Sequence, residues 1–357
     1  MTPRPWQPLQ EAQSPFCSPM EASRHAPLVE VTRGEHVESV HAGSIAVVDT
    51  AGRLLYAAGD PHCLTFTRSA IKPFQAMPFI AAGGIERFGL ESREVALLCA
   101  SHSGEEMHLA AVQGILDKAG NVEADLACGC HVPLRYSADM PAPAGAAFSQ
   151  LHHNCSGKHA GFLAYCRQHD LPISGYLDPR HPLQQAVRSS VAQQAGMAET
   201  ALVAGTDGCS APNYALPLSR LALSFARLAH GAVDDAHGDA NAILRDAMMA
   251  HPDLVSGTGR GDLAFMRTAP GDWVAKVGAE GVQAIGIRSA GIGIAVKIAD
   301  GNARAVCTTA VAVLEQLGLL KEAHATPVAS FVRPQLHNHA GSRTGEVRAI
   351  VRLMPHG

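Results

Sequence analysis

The sequence predicts an α/β protein: an antiparallel sheet built from both chain ends and flanked by helices, with a mainly helical region inserted between the two halves of the sheet. Three observations predict it. Strand-like patterns lie near residues 28–56 and return at 273–298, while helical spacing dominates the middle. Strands, then helices, then strands is the order that results when one sheet receives both ends of a chain. The 357 residues, 47% of them hydrophobic and 17% charged, suffice for roughly two domains of about 150 residues or one large α/β domain, and are too apolar for a disordered chain.

Taken in order, residues 1–27 carry Pro3, Pro5, Pro8, Pro15 and Pro19 and read as a flexible proline-rich extension. Residues 28–357 read as one unit, with a sheet region at about 28–68 and 255–357 and a mainly helical region at about 69–254. Strands are expected at 28–32, 43–49 and 53–56, the last two joined by the turn Thr50-Ala51-Gly52. Apolar residues at helical spacing predict helices over 69–82, 92–100, 105–119, 158–169 and 181–195. Strands return at 273–277, 282–288 and 292–298. Asp300-Gly301-Asn302 then turns the chain into a helix over 305–319, and residues 347–353 are expected to add an edge strand.

Composition excludes several classes of function. A net charge of −4 offers no basic field for a phosphate backbone, so nucleic acid is not an expected partner. No apolar run approaches the roughly 18 residues that span a bilayer, and the first residues lack the pattern of a secretory signal. Nine cysteines, an odd number spread through a large chain, fit a reducing cytoplasm where thiols stay free or bind metal.

Thr67-Arg68-Ser69-Ala70-Ile71-Lys72-Pro73 sets a serine and a lysine three residues apart at a predicted helix start, on a shared face. A lysine activates a serine only as the neutral amine, a form that burial and neighbouring cations favour. Ser-x-x-Lys alone is common by chance; Ser69 could simply cap the helix and Lys72 be solvated. Two further stretches strengthen the assignment. Ala100-Ser101-His102-Ser103-Gly104-Glu105-Glu106 breaks two apolar helices with small hydroxyl residues, where Ser103 is expected to cap the second helix and Ser101 to point elsewhere. Lys276-Val277-Gly278 puts a lysine on a strand, with a glycine that would let substrate approach and take a strand N–H. The order Ser-x-x-Lys, later serine loop, Lys-x-Gly strand is that of the serine β-lactamase and penicillin-binding group.

Two sets of residues could hold a metal. Asn154-Cys155-Ser156-Gly157-Lys158-His159 and Gly205-Thr206-Asp207-Gly208-Cys209 each place a cysteine among small residues at a boundary; two thiolates and a nitrogen suit Zn²⁺. By spacing, Cys128, Cys130 and His131 with His152 and His153 form a more conventional zinc set. Both sets could also be ordinary buried thiols and solvated imidazoles.

Four of these stretches in this order, Thr67 to Gln75, Ala100 to Glu105, His153 to His159 and Gly205 to Cys209, resemble the asparaginase II family of the Rhizobium etli thermolabile type, the class 3 L-asparaginases. The resemblance extends from about Val29 to the segment Asn338-His339-Ala340-Gly341 and Val347. It implies a fold related to serine β-lactamases and glutaminases, hydrolysis of L-asparagine to L-aspartate and ammonia, and a cytoplasmic homodimer. It also implies two serine–lysine tandems, Ser69 with Lys72 and Ser101 with Lys276, and a zinc ion held by Cys155, Lys158 and Cys209. This ligand set takes precedence over the Cys128/Cys130 set.

Under that resemblance Lys72 takes the proton of the nucleophile Ser69. The oxyanion rests on N–H groups at Ser69 and near Gly278, and Ser101, coupled to Lys276, relays a proton to the leaving ammonia. Arg68 is expected to attract the substrate carboxylate and Asp207 to hold its α-ammonium. Zinc is expected to order the pocket rather than to make the attacking hydroxide. The alternatives are a glutaminase, a β-lactamase or D-alanyl-peptidase-like serine hydrolase, and a zinc-binding regulatory protein without catalysis.

Overall fold

The computed structural model describes residues 24–137, 140–233 and 236–356. Most of the expected proline-rich extension therefore lies outside the described residues. The chain opens with β1 (Ala26–Arg33), β2 (His36–Asp49) and β3 (Leu54–Ala58). Asp49 closes the β2–β3 turn by accepting from the backbone N–H groups of Ala51 and Arg53, with Gly52 at φ 84°. A short strand, β4 (Leu64–Phe66), leads into α1 (Lys72–Ala81), α2 (Gly84–Phe88), α3 (Ser92–Leu98), α4 (Glu106–Lys118), α5 (Ser156–Gln168) and α6 (Pro182–Ala195). Then come β5 (Val203–Thr206), β6 (Pro212–Pro217), α7 (Leu218–His230), α8 (Ala240–Ala250), α9 (Pro252–Val255) and α10 (Gly261–Thr268). The chain finishes with β7 (Trp273–Gly278), β8 (Val282–Ile287), β9 (Ile292–Ile298), α11 (Ala303–Gln316), α12 (Ala329–Val332), β10 (Gln335–His337), β11 (Arg343–Ala349) and β12 (Met354–Pro355).

The main sheet is antiparallel and joins both chain ends, in the order β10-β11-β1-β2-β9-β8-β7, with β3 also paired to β2 and β12 to β3. The fold class is thus the one the sequence predicts. The long β2 serves two neighbours on one side: its first half pairs with β1 and its second half with β3, while β9 lies along the other side. β8 is buried at all of its positions, which requires cover on both faces. Helices α7 and α11 provide it. The opposed pair Gly286 and Gly293 lets α7 lie directly on the strands, since a Cβ at either position would come within 2.3 Å of Phe225 O or 1.9 Å of Ala222 O.

One expectation needs correction. Residues 347–353 were expected at an edge, but β11 lies between β10 and β1; its pattern marks it as a strand without encoding which neighbours it takes. Besides its helices, the middle of the chain supplies β5 and β6, which with β4 form a second sheet of three strands that the sequence reading did not assign. Each is short, and β6 begins and ends in proline, so alternation has little length in which to show. No helix among the described residues is long and apolar enough to cross a membrane.

Candidate active site

The second sheet feeds the Ser69 turn. Thr67, just past β4, is tied to β6 by its N–H and its hydroxyl, both donating to Tyr214 O at 3.1 and 2.8 Å. Arg68 follows at φ 49°, a conformation uncommon for a side chain this large. It is held there from both sides by Asn213, which accepts from Arg68 N and donates to Arg68 O, each at 3.1 Å. Such strain persists when surroundings over-determine it. A 3-10 turn over Arg68–Ile71 then passes into α1, with Pro73 in the first turn, where its missing N–H leaves nothing unpaired. The helix therefore starts at Lys72 rather than at Ser69. Ser69 is half-buried.

Lys72 is fully buried, and its Nζ donates to Ala100 O at 2.5 Å, to Ser101 Oγ at 3.0 Å and to Asn154 O at 3.4 Å. A buried amine must find acceptors; the chain just past the end of α3 supplies them through open carbonyls. The expected Ser69–Lys72 couple is thus not the contact formed: Lys72 sits on Ser101. Ser101 is buried with its N–H on Val255 O. Ser103 does not cap α4, because its hydroxyl donates to Ser256 O at 2.9 Å. Glu105 takes the cap, accepting from the helix while its own N–H donates to His108 Nδ1. Burial first, then neighbouring cations, pushes His102 well below the usual imidazole range. The neutral ring pairs with Ser156 Oγ at 2.8 Å, linking the Ser101 loop to the start of α5.

Lys276 on β7 is also fully buried and is lowered to about 8, by burial first, against the pull of Asp262 and with help from Lys72. Its Nζ lies 3.3 Å from Asp262 Oδ2 and 2.9 Å from Val277 O. The expected Ser101–Lys276 couple is therefore not a direct contact either, because the amine turns to a carboxylate, a stronger partner in a dry interior than a hydroxyl. Sequence reading missed Asp262; no local pattern marks a partner that lies on another element. Gly278 packs where a Cβ would come within 2.6 Å of Thr67 O and 3.4 Å of Arg68 Cβ. The glycine admits the Ser69 turn itself, and the space expected for substrate at that Cβ is taken by the Thr67 carbonyl.

The two expected cysteine segments converge. Lys158 Nζ lies 3.1 Å from Cys209 Sγ, and the Cys155 thiol is held well below its usual range, by contact with Cys209 first and by Lys72 and Lys158 beyond that. Burial disfavours the Lys158 ammonium, but Cys209 and Cys155 outweigh it and raise that group. Among the described residues no group of three His, Cys, Asp or Glu side chains is placed to hold a metal; here the third donor is an amine. His159 Nε2 is buried without a hydrogen-bond partner and its ring neighbours Cys209, so a donor set of two sulfurs and nitrogens fits zinc. The rival set is otherwise engaged. His131 uses both nitrogens on backbone groups of Val132 and Asn154, His152 Nδ1 faces Ser149, and Cys130 is exposed.

Arg68 and Asp207 form an ion pair, Nε to Oδ1 at 2.8 Å, and Glu280 approaches Arg68 at 3.8 Å. Burial raises Asp207, yet Lys158, the Gly208 N–H and Arg68 together outweigh it and lower its pKa. The β5–β6 connection therefore delivers Asp207 to Arg68 and Cys209 to Lys158.

The half-buried Ser69 thus lies in the turn before a helix whose first residue is a buried amine, on a mixed frame of sheet and helices. The chain belongs to the L-asparaginase II family, whose profile matches residues 29–349, and so falls among the amidohydrolases. No curated protein matches the chain. Among solved structures it is similar to Mglu in its native form at 4.3 M NaCl, with 16% identity and a TM-score of 0.41 over 78% of this chain. That match spans only 62% of the length of Mglu. It is also similar to a β-lactamase, Mb2281c, from Mycobacterium bovis, with 15% identity and a TM-score of 0.43 over 77% of this chain and 94% of that one. A putative β-lactamase from Bacteroides dorei DSM 17855 gives 14% identity and a TM-score of 0.42 over 76% and 93%.

Proposed function

We propose that the protein is an L-asparaginase that hydrolyses the side-chain amide of L-asparagine through an acyl-enzyme on Ser69. The observation that carries this reading is the buried Lys72 amine on Ser101 Oγ at 3.0 Å, on the helix that follows the Ser69 turn, in a chain of the L-asparaginase II family. A neutral amine has two N–H donors and one lone pair. Of its three acceptors Asn154 O is the most distant, at 3.4 Å; with the two donors on Ala100 O and Ser101 Oγ, the lone pair is free to take the Ser69 proton.

In this scheme Ser69 Oγ attacks the amide carbon and its proton passes to Lys72. The oxyanion is stabilised by the Ser69 N–H, in the turn before α1, and by a strand N–H near Gly278. Lys72 returns the proton through the Ser101 hydroxyl to the leaving nitrogen, ammonia departs, and water cleaves the ester by the reverse relay. The relay thus runs Lys72–Ser101, with Lys276 beside it. Arg68 and Asp207, already paired and of opposite sign, suit the α-carboxylate and α-ammonium of an amino acid.

Cys155, Cys209 and Lys158 would hold the zinc ion, with His159 next to them. Bound there, the ion would tie the start of α5 to the β5–β6 connection and so fix Asp207. The cytoplasmic, dimeric setting belongs to the same proposal.

The test is ammonia release from asparagine and glutamine side by side, together with mass spectrometry of protein quenched during turnover. Asparagine turnover with an adduct on Ser69, both lost in S69A, supports the reading. Turnover that survives S69A overturns it, and preference for glutamine moves the substrate by one methylene, a step worth about 1–3 kcal/mol in a pocket.

A further inference from the structure

We propose that Asp262 is a positioning residue for this reaction: its carboxylate, buried between α10 and the edge strand β7, fixes Lys276 as an ammonium beside Lys72. The inference rests on the amidase reading and adds a residue to it.

The geometry is closed on every side. Asp262 is fully buried, in the first turn of α10, where helix N–H groups favour a carboxylate. Its Oδ2 accepts from Lys276 Nζ at 3.3 Å and from Val277 N at 3.0 Å, and its Oδ1 accepts from Gln283 Nε2 at 3.1 Å. Strand β7 ends the main sheet, so the Val277 N–H would otherwise face the interior without a partner. Gln283 stands opposite Val277 on β8. Three groups from two adjacent strands therefore meet one carboxylate, and the Lys276 side chain has little freedom left.

The charges nearby make that carboxylate decisive. Lys276 faces Asp262 and Arg260 from α10 and the segment before it, and Lys72 from α1. The thiols of Cys99, after α3, and Cys307, on α11, also face this cluster, but burial pushes both up to about 12 and leaves them uncharged near neutrality. Among the described residues, Asp262 is the one carboxylate in ion-pair contact with either buried amine. An ammonium has three N–H donors. Asp262 and Val277 O take two, and the third remains to orient toward the reacting groups.

The experiment measures kcat and KM for asparagine between pH 6 and 10 in wild type and D262N. Absence of ammonia release by the wild type with any side-chain amide defeats the amidase reading without bearing on the Asp262 geometry. D262N is nearly isosteric. Gln283 Oε1 has no partner, so a flip of that amide lets it accept from the new Nδ2 while Oδ1 stays on Val277 N. Circular dichroism and elution volume check that the variant folds. The expected result is a fall in kcat of at least about tenfold with KM within about threefold. The alkaline limb of kcat/KM is expected to move at least about one unit toward lower pH, because the charge that favours the Lys276 ammonium is gone. A residue serving only the fold would leave that limb in place. If D262N does not fold, Q283L serves in its stead: it removes the donor that orients Oδ1, and a smaller shift in the same direction is expected. A pH profile within twofold of wild type at every pH, in whichever of the two variants folds, overturns the proposal.

Discussion

Replacing Lys72 by methionine separates catalysis from stability. The side chain is fully buried, its partners are two backbone carbonyls and a hydroxyl, and among the described residues no carboxylate pairs with it. Methionine fills a similar length and removes the buried polar head. The lost contacts are the short ones to Ala100 O and Ser101 Oγ and the longer one to Asn154 O, each worth a net of about 1 kcal/mol. Against that stands the cost of taking an amine out of water into a site that offers it no counter-charge, which is several kcal/mol. Relief of that burial penalty outweighs the lost hydrogen bonds, so K72M is expected to be more stable by about 1–2 kcal/mol, a rise of a few degrees in Tm for a chain of this size. Turnover is expected to fall by about 10²–10⁴, the usual worth of a positioned general base. Ammonia release and calorimetry on the same preparations read both quantities. A variant that keeps more than a tenth of wild-type kcat, or that loses stability together with activity, refutes the assignment of Lys72 as a strained catalytic base.

Three further outcomes follow from the same geometry. S101A is expected to lower kcat by about 10–100-fold and to slow the first release of ammonia with it, because the relay that protonates the leaving nitrogen loses a member while the nucleophile stays; rapid-quench kinetics of the first turnover check this. Stability is expected to rise with pH from about 8, the lowered Lys276 value, toward the ordinary lysine value of about 10.4, since in that window the unfolded chain holds a proton that the folded chain has lost. Urea titrations across that window should show a shallower rise in K276M than in wild type. C209A is expected to lose bound zinc, measured by elemental analysis of purified protein, with KM raised about tenfold or more and kcat changed less than about threefold; an equal fall in kcat would assign the metal to the chemical step.

Much of the frame was legible because it repeats locally. Strand β9 is where its alternation puts it, and α4 and α6 differ from expectation by a residue at an end. Helix α7 was equally readable, with apolar residues at Leu218, Leu221, Ala222, Phe225 and Leu228, yet no element was assigned there. The strands β4, β5 and β6 are short, and β5 carries a glycine and β6 two prolines, so their identity comes from pairing with one another. The site divides in the same way. Ser69, Lys72, Ser101 and the two cysteine segments stand out as polar groups in apolar or small-residue surroundings. Their partners do not, because a lysine side chain reaches across elements and chooses the best acceptor it meets. Lys72 met Ser101, Lys276 met Asp262, and both expected couples were exchanged. The general requirement that a buried amine needs an acceptor predicts that Lys276 must find some partner; only the packing of α10 on β7 makes it Asp262.

That exchange has a physical consequence for how the site works. The amines of Lys72 and Lys276 are buried close together, and the single carboxylate among the described residues in contact with them is committed to Lys276. Lys72 is left with neutral acceptors, an arrangement that folding alone disfavours and that a hydrophobic residue would relieve. In acyl transfer the two charges arrive together: oxygen develops negative charge at the attacked carbon as Lys72 takes the Ser69 proton. An ammonium formed on the helix following the nucleophile stabilises that state more than the neutral amide before it, which is the condition for lowering a barrier rather than for tight binding. The same reasoning fixes the sign of the K72M experiment: stability gained and turnover lost are two readings of one buried amine without a carboxylate partner, and they must move in opposite directions.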